Sequence, residues 1–234
     1  MIYQQLALYY DSLVEDPIAT QKWVDFTIKH SCGKKVLDMA CGSGDFSIEL
    51  AKHGYELDAF DFSEEMLKQA KAKPDSDKVN FFVMDMNNYQ VKKNYDIVTC
   101  YCDSLNYLIE DDEIITLFKK VYQCLHTKGT FLFDVHSIDR LDEFKEEFYE
   151  EGTVHDLQYE WSIQSDDDQL YQNFIFFDQQ AHAQLEQHRQ RVYQPSWIKQ
   201  QLELIGFKVE MFTDFDLKGI QPGEKIFFVG FKEE

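Results

Sequence analysis

Apolar and polar positions change period several times along the chain. Residues 2–31 show helical spacing that breaks near Asp16-Pro17, which predicts two helices. An apolar run at 34–39 predicts a buried strand, and 44–52 a helix. A second strand is expected at 55–60. Ser63 then stands as an N-cap, with Met66, Leu67 and Ala70 on the apolar face of the next helix. Strands follow at 79–84 and 95–101. A helix over 111–125 carries Ile114, Leu117, Val121 and Leu125 on one stripe, and Gly129 precedes a strand at 130–135. Such alternation predicts an α/β fold with a doubly wound, mostly parallel sheet.

The alternation stops near residue 139. LQYEWSI and YQNFIFF read as antiparallel strands around the turn SDDDQ, and EQHRQRVY as a further strand. A helix resumes after Pro195, and KVEMFTDF and KIFFVGF close a sheet of seven strands. No linker or repeat interrupts the chain, so one domain is expected. Residues 1–31 form a helical cap, 32–138 the core, 139–193 an antiparallel β insertion or lid, and 194–234 the closing helix and strands.

Composition narrows the function. The chain has 234 residues, 44% of them apolar, enough for a full core. No run approaches 18 apolar residues, so no membrane span is expected. The N-terminus has no basic start and no small-residue cleavage site, so no signal peptide is expected. Five scattered cysteines suggest free thiols and a cytoplasmic setting. Cys100-x-Cys102 lacks a second pair, and no metal is expected. The net charge is −20, and no basic run longer than a lysine pair offsets it, which disfavours nucleic acid. Residues 139–191 carry 14 acids and 4 bases, half of that excess.

The candidate chemistry lies in VLDMACGSGDFS, residues 36–47. A strand ends, the backbone turns and a helix begins. A dinucleotide fold wants G-x-G-x-x-G, and here Ser47 stands at the third glycine. A pyrophosphate would also lie near Asp38 and Asp45, and like charges at short range cost several kcal/mol when desolvated. An ammonium group is welcomed by those acids, while a carboxylate can meet the helix N-terminus. S-adenosylmethionine has both groups, a sulfonium cation and no phosphate. Asp61 ends the next strand, where a carboxylate accepts ribose hydroxyls, and Asp85 in VMDM stands where an acid can accept from an adenine amine, with Met84 or Met86 against the ring.

Together with LHTKGTFLFDV, these segments resemble the successive motifs of the class I S-adenosylmethionine-dependent methyltransferases over roughly residues 30–136. YYDSLVED and YCDSLNYL are similar to the YqeM-like bacterial group that acts on small molecules. The resemblance implies cofactor contacts at Tyr10, Asp38, Ala40, Gly42 and Gly44, then at Asp61, Phe62, Met66, Asp85, Met86, Tyr101 and Asp103. The family pattern is D-x-G-x-G-x-G, and Ala40 replaces its first glycine. Binding is expected to survive because alanine fits a tight turn at negative φ.

The acceptor side is less defined. His136, Glu186 and His188 are the candidates for a general base. Asn106, Arg189 and Arg191 are the candidates for substrate contact, since arginine suits carboxylate recognition; ion pairing with nearby acids is the competing reading of the two arginines. Glu186, His188 and Gln190 should share one strand face, with Arg189, Arg191 and Tyr193 on the other. The expected activity is methyl transfer from S-adenosylmethionine, leaving S-adenosylhomocysteine, to a small-molecule acceptor of undefined identity. An NAD(P)-dependent dehydrogenase and a non-catalytic S-adenosylmethionine binder are the alternatives. Sequence leaves the oligomeric state open.

Overall fold

The computed structural model describes residues 3, 6–14, 16–90, 94–155, 157–178, 180 and 182–233. Two helices open the chain, α1 (Leu6–Val14) and α2 (Pro17–His30). Asp16 caps α2 by accepting from the backbone N–H groups of Ile18 and Ala19, and Pro17 occupies the first turn, where its missing N–H is harmless. The break predicted at Asp16-Pro17 thus has a local cause.

The core alternates as its apolar pattern requires: β1 (Lys35–Met39), α3 (Asp45–Lys52), β2 (Glu56–Asp61), α4 (Glu64–Ala72), β3 (Val79–Val83), β4 (Tyr95–Cys100), α5 (Asp111–Cys124) and β5 (Leu125–His136). Ser63 caps α4, its hydroxyl accepting from the Met66 N–H. On α5, Ile114, Leu117 and Val121 are buried as the stripe predicts, joined by Phe118.

The insertion comprises α6 (Asp139–Glu143) and the strands β6 (Phe148–Val154), β7 (Leu157–Asp166), β8 (Gln169–Phe177) and β9 (Ala183–Arg191). The chain closes with α7 (Pro195–Ile205), β10 (Phe207–Thr213), β11 (Leu217–Lys218) and β12 (Lys225–Lys232). The main sheet runs β11-β10-β12-β5-β4-β1-β2-β3. It is parallel from β5 to β3, and β12 enters antiparallel between β5 and β10. The eighth strand beyond the expected seven is the two-residue β11. The insertion forms a separate antiparallel sheet, β6-β7-β8-β9. Sequence reading missed β6, whose segment FYEEGTV is exposed except at Gly152 and Val154 and so has no apolar alternation to detect.

Two apolar clusters sandwich the main sheet, one under α5 and α7 and one under α2, α3 and α4. A third joins Leu6, Tyr9, Tyr10 and Leu13 of α1 to Val154, Trp161, Phe174 and Phe176 of the insertion. The first helix therefore packs on the insertion, and Lys73 ties it to the core through ion pairs to Asp11 at 2.7 Å and Asp45 at 2.6 Å.

Candidate active site

Chain order runs outward from β1 in both directions, through β2 and β3 on one side and β4 and β5 on the other. The turns leaving β1 and β4 diverge there and open a crevice at the carboxyl ends of the strands. A cavity of about 320 Å³ occupies it. Of the twelve expected cofactor contacts, all except Asp103 line this cavity. A second cavity lies at the opposite end of the strands and holds none of the candidates.

The glycine turn is shaped for close approach. Gly42 and Gly44 adopt left-handed backbone, with φ +55° and +82°. A Cβ on Gly44 would stand 2.9 Å from both Ala70 and Phe81, so the third position of the motif seats α3 against α4 and β3. One on Gly42 would press the Met66 methyl at 3.3 Å, so the smallest side chain keeps the cavity floor open. Ala40 corrects an expectation. Its φ is +55°, not negative, so the turn places alanine where glycine is favoured by about 1–2 kcal/mol.

The carboxylates of this region take separate parts. Asp38 turns one oxygen to the Ser47 hydroxyl at 2.5 Å and the other to Thr99 at 2.7 Å, fastening β1 to α3 and β4. Burial pushes its carboxyl up to about 7, against the two hydroxyls. It borders the cavity with both oxygens already engaged, so turn shape is its first role. Asp61 accepts from the backbone N–H groups of Gly42 and Ser63, each at 2.9 Å, and retains lone pairs toward the cavity. Burial raises its carboxyl too. Asp85 caps the turn after β3, accepting from Asn87 N–H at 2.8 Å and from the Asn88 amide at 3.2 Å. Asp45 is paired with Lys73. Tyr101 donates to or accepts from Thr27 at 2.8 Å and presents its ring to the cavity.

Several expected placements change. Asp103 sits behind the wall in a buried ionic cluster, 2.5 Å from the Lys225 ammonium, while Lys225 also lies 3.9 Å from Asp134. Burial opposes ionisation of Asp103, but His136 and Lys225 outweigh it and hold its carboxyl low. Burial lowers His136, whose Nε2 meets Gln190 at 3.1 Å and whose ring faces Asp103 at 3.6 Å. His136 is not part of the cavity wall. Asn106 is fully buried, donating to the Arg191 carbonyl at 2.6 Å and accepting from His136 N–H at 3.1 Å. Both ends of its amide serve the backbone, so it fastens the insertion to the sheet and is not among the residues that line the cavity. Arg189 is exposed and bonds Gln169 at 2.5 Å. Arg191 pairs with Asp168 and Asp111 and donates to the Ile109 carbonyl. Neither arginine lines the cavity; Arg191 satisfies the ion-pairing reading, while Arg189 bonds a neutral amide.

Glu186, His188 and Gln190 do share the buried face of β9, as alternation predicts. Yet Glu186 and His188 stand behind the wall. Glu186 accepts from the backbone N–H groups of Tyr3 and, at 3.1 Å, Leu6, so it holds Tyr3 and the start of α1 in place. Tyr3, Trp23, Phe46 and Tyr107 line the cavity and were missed as site residues. Their local sequence gives no motif; only the fold brings them to one place. Among the described residues no group of three or more His, Cys, Asp or Glu is arranged to hold a metal, and no helix is long and apolar enough to cross a membrane.

The methyltransferase domain family matches residues 36–129, the segment that builds the glycine turn and strands β1 to β4. A protein of Geobacillus sp. (strain WCH70), provisionally named a methyltransferase, is 34% identical and aligns with 99% of this chain and 100% of its own length. YqeM of Bacillus subtilis (strain 168), provisionally named in the same way, is 32% identical over 97% of this chain and 96% of its own. The crystal structure of an S-adenosylmethionine-dependent methyltransferase from Clostridium acetobutylicum ATCC 824 superposes with a TM-score of 0.83 at 26% identity, covering 99% of both chains. With this glycine turn, the acids at the strand ends and relatives aligned over nearly all of both chains, the protein belongs to the S-adenosylmethionine-dependent methyltransferases, in the group that includes YqeM.

Proposed function

We propose that the protein methylates a small molecule whose nucleophile is an amine nitrogen, in the cavity between the strand ends and the insertion. S-adenosylmethionine supplies an electrophilic methyl group, whose bond to sulfur breaks with its electron pair left on sulfur as the new bond forms. The protein's own residues bind, align and exclude water. Asp61 offers its free lone pairs to the ribose, Asp85 accepts from the adenine amine, and Phe62, Met66 and Met86 supply apolar contact.

The carrying observation is the character of the cavity wall. It includes five carboxylates and seven aromatic rings, and among the described residues no lysine or arginine. A carboxylate or phosphate acceptor would find no cation there. The carboxylates serve the turns and the cofactor, and the ring faces that remain attract a protonated amine. The cavity lies at the lower end of the usual ligand range of about 300–1,000 Å³.

Calorimetric titration with S-adenosylhomocysteine, with NAD and NADP as controls, tests the cofactor site. Only the first should bind. Asp61→Asn should weaken it about 10–100-fold, because an amide cannot accept from both Gly42 and Ser63 and still serve a ribose. Unchanged affinity in that variant would remove Asp61 from the site.

A further inference from the structure

A cavity that attracts protonated amines faces a chemical problem. The ammonium form binds best, but its nitrogen has no lone pair with which to attack a methyl group. The site therefore needs a route for the proton, and a hydrogen-bonded chain that ends on a buried imidazole and carboxylate leads out of it. Tyr3 and Tyr107 line the cavity, with their phenol oxygens 2.9 Å apart. Tyr107 Oη lies 2.8 Å from Nδ1 of His188, and His188 Nε2 lies 3.0 Å from Glu186 Oε1. His188 is 2% exposed and Glu186 6%, so water does not compete along the route.

The direction of the hydrogens follows from the chain's inner end. Burial pushes the Glu186 carboxyl up, but His188 and the N–H groups of Leu6 and Tyr3 outweigh it and hold it below the usual range. A carboxylate only accepts, so Nε2 of His188 carries hydrogen. In a neutral ring Nδ1 is then an acceptor, and Tyr107 donates to it. Tyr3 donates to Tyr107 in turn, which leaves the Tyr3 oxygen an acceptor toward the cavity. Every hydrogen points from the cavity toward Glu186. Burial raises the Tyr107 phenol, so it hands a proton on instead of resting as phenolate. Among the described residues, the titratable groups facing His188 are Glu186 on its own strand, Tyr107 from the turn after β4, and Tyr3. From β8 it meets Gln172 across the ladder and the ring of Phe174, neither of which titrates.

We propose that Tyr3 and Tyr107 withdraw the proton of the bound amine into a His188–Glu186 sink, an assignment that rests on the methyl-transfer reading above. The amine N–H bond breaks and the nitrogen keeps its electron pair. The proton arrives on the Tyr3 oxygen, the Tyr3 proton moves to Tyr107, and the Tyr107 proton moves to Nδ1. The imidazolium so formed is held by the Glu186 carboxylate until product leaves and the proton returns to solvent. Tyr107 and Tyr3 are then catalytic residues, while His188 and Glu186 are positioning residues that act through them.

The test follows the His188 ring nitrogens by 15N NMR in the S-adenosylhomocysteine complex, using 2-phenylethylamine and glucosamine as probes and 2-phenylethanol as control. The amines should convert His188 to imidazolium and the alcohol should leave it neutral. In Tyr107→Phe, which keeps the ring and removes only the relay oxygen, the amines should leave it neutral as well. Release of S-adenosylhomocysteine from S-adenosylmethionine and 2-phenylethylamine should slow about 100-fold in that variant, with the acid limb of the pH profile moved up toward the titration of the free amine and cofactor affinity retained. Failure of both amines to convert His188 in the wild type, or conversion by the alcohol as well, would overturn the proposal. So would a Tyr107→Phe enzyme with the wild-type rate and pH profile. Absence of S-adenosylhomocysteine binding in the wild type would instead bring down the methyl-transfer reading itself.

Discussion

The strand ends of the main sheet and the inner face of the insertion both carry acids and polar side chains, yet they use them differently. At the strand ends, Asp38, Asp61 and Asp85 appear at successive turns because a parallel sheet delivers each turn to the same edge. In the insertion, Arg191 holds two acids, Arg189 bonds the Gln169 amide, and Glu186 holds the backbone at Tyr3 and Leu6. In the first region topology brings side chains to one cavity whatever their local partners. In the second the same residue types stitch one layer to another, and they meet the cavity through Tyr3 and Tyr107.

Substitutions can break this contrast. The largest effect is expected at Gly44→Ala, where a Cβ meets Ala70 and Phe81 at 2.9 Å and φ is +82°. Urea unfolding should show a loss of about 3 kcal/mol, accompanied by weaker S-adenosylhomocysteine binding. Asp38 should impose a pH slope. Its carboxyl is raised from the ordinary range to about 7, so its protonated form is favoured in the folded state. Stability from this group is complete below about pH 4 and falls as pH rises through 7, by at most about 1.4 kcal/mol per pH unit. Asp38→Asn should flatten that slope in urea melts between pH 5 and 8; an unchanged slope would place the titration elsewhere.

Smaller effects test the insertion. Arg191→Ala should lower stability by about 1 kcal/mol, since its pairs with Asp111 and Asp168 are partly exposed, and leave S-adenosylhomocysteine affinity unchanged. A change in affinity larger than in stability would return this arginine to the site. Ala40→Gly should raise stability by about 0.5–1 kcal/mol, because relief at φ +55° exceeds the added freedom of the unfolded chain. A lower melting temperature in Ala40→Gly would mean that the methyl group makes a contact worth more than the strain.

The sequence carries the core well because period and punctuation agree there. Asp16-Pro17, Ser63 and the glycine turn each mark a boundary with a local chemical reason, and the structure keeps all three. Eleven of the expected cofactor contacts share one cavity because the order of strand ends follows from chain order. Asp103 escaped that logic: the left-handed residues Cys102 and Asp103 turn its side chain to Lys225, which is 122 positions distant. Asn106 and the two arginines looked like recognition residues by type, and their partners come from segments the local pattern does not connect. Tyr3 and Tyr107 were invisible for the opposite reason, since an aromatic residue between apolar neighbours reads as core until the fold opens a cavity beside it.

Lys73 gives the cavity a sensitivity to its medium. Its single ammonium bridges Asp11 on the first helix and Asp45 beside the glycine turn, with its side chain about one-fifth exposed. Dissolved ions reach such a bridge and screen it, over a distance of about 8 Å at physiological strength. Added salt therefore loosens the fastening between the roof of the cavity and its floor while leaving the apolar packing of α1 intact. The exchange rate of a bound ligand should rise with ionic strength even for a ligand that carries no net charge, which makes an electrolyte series in stopped-flow dissociation a direct reading of how firmly the roof is held.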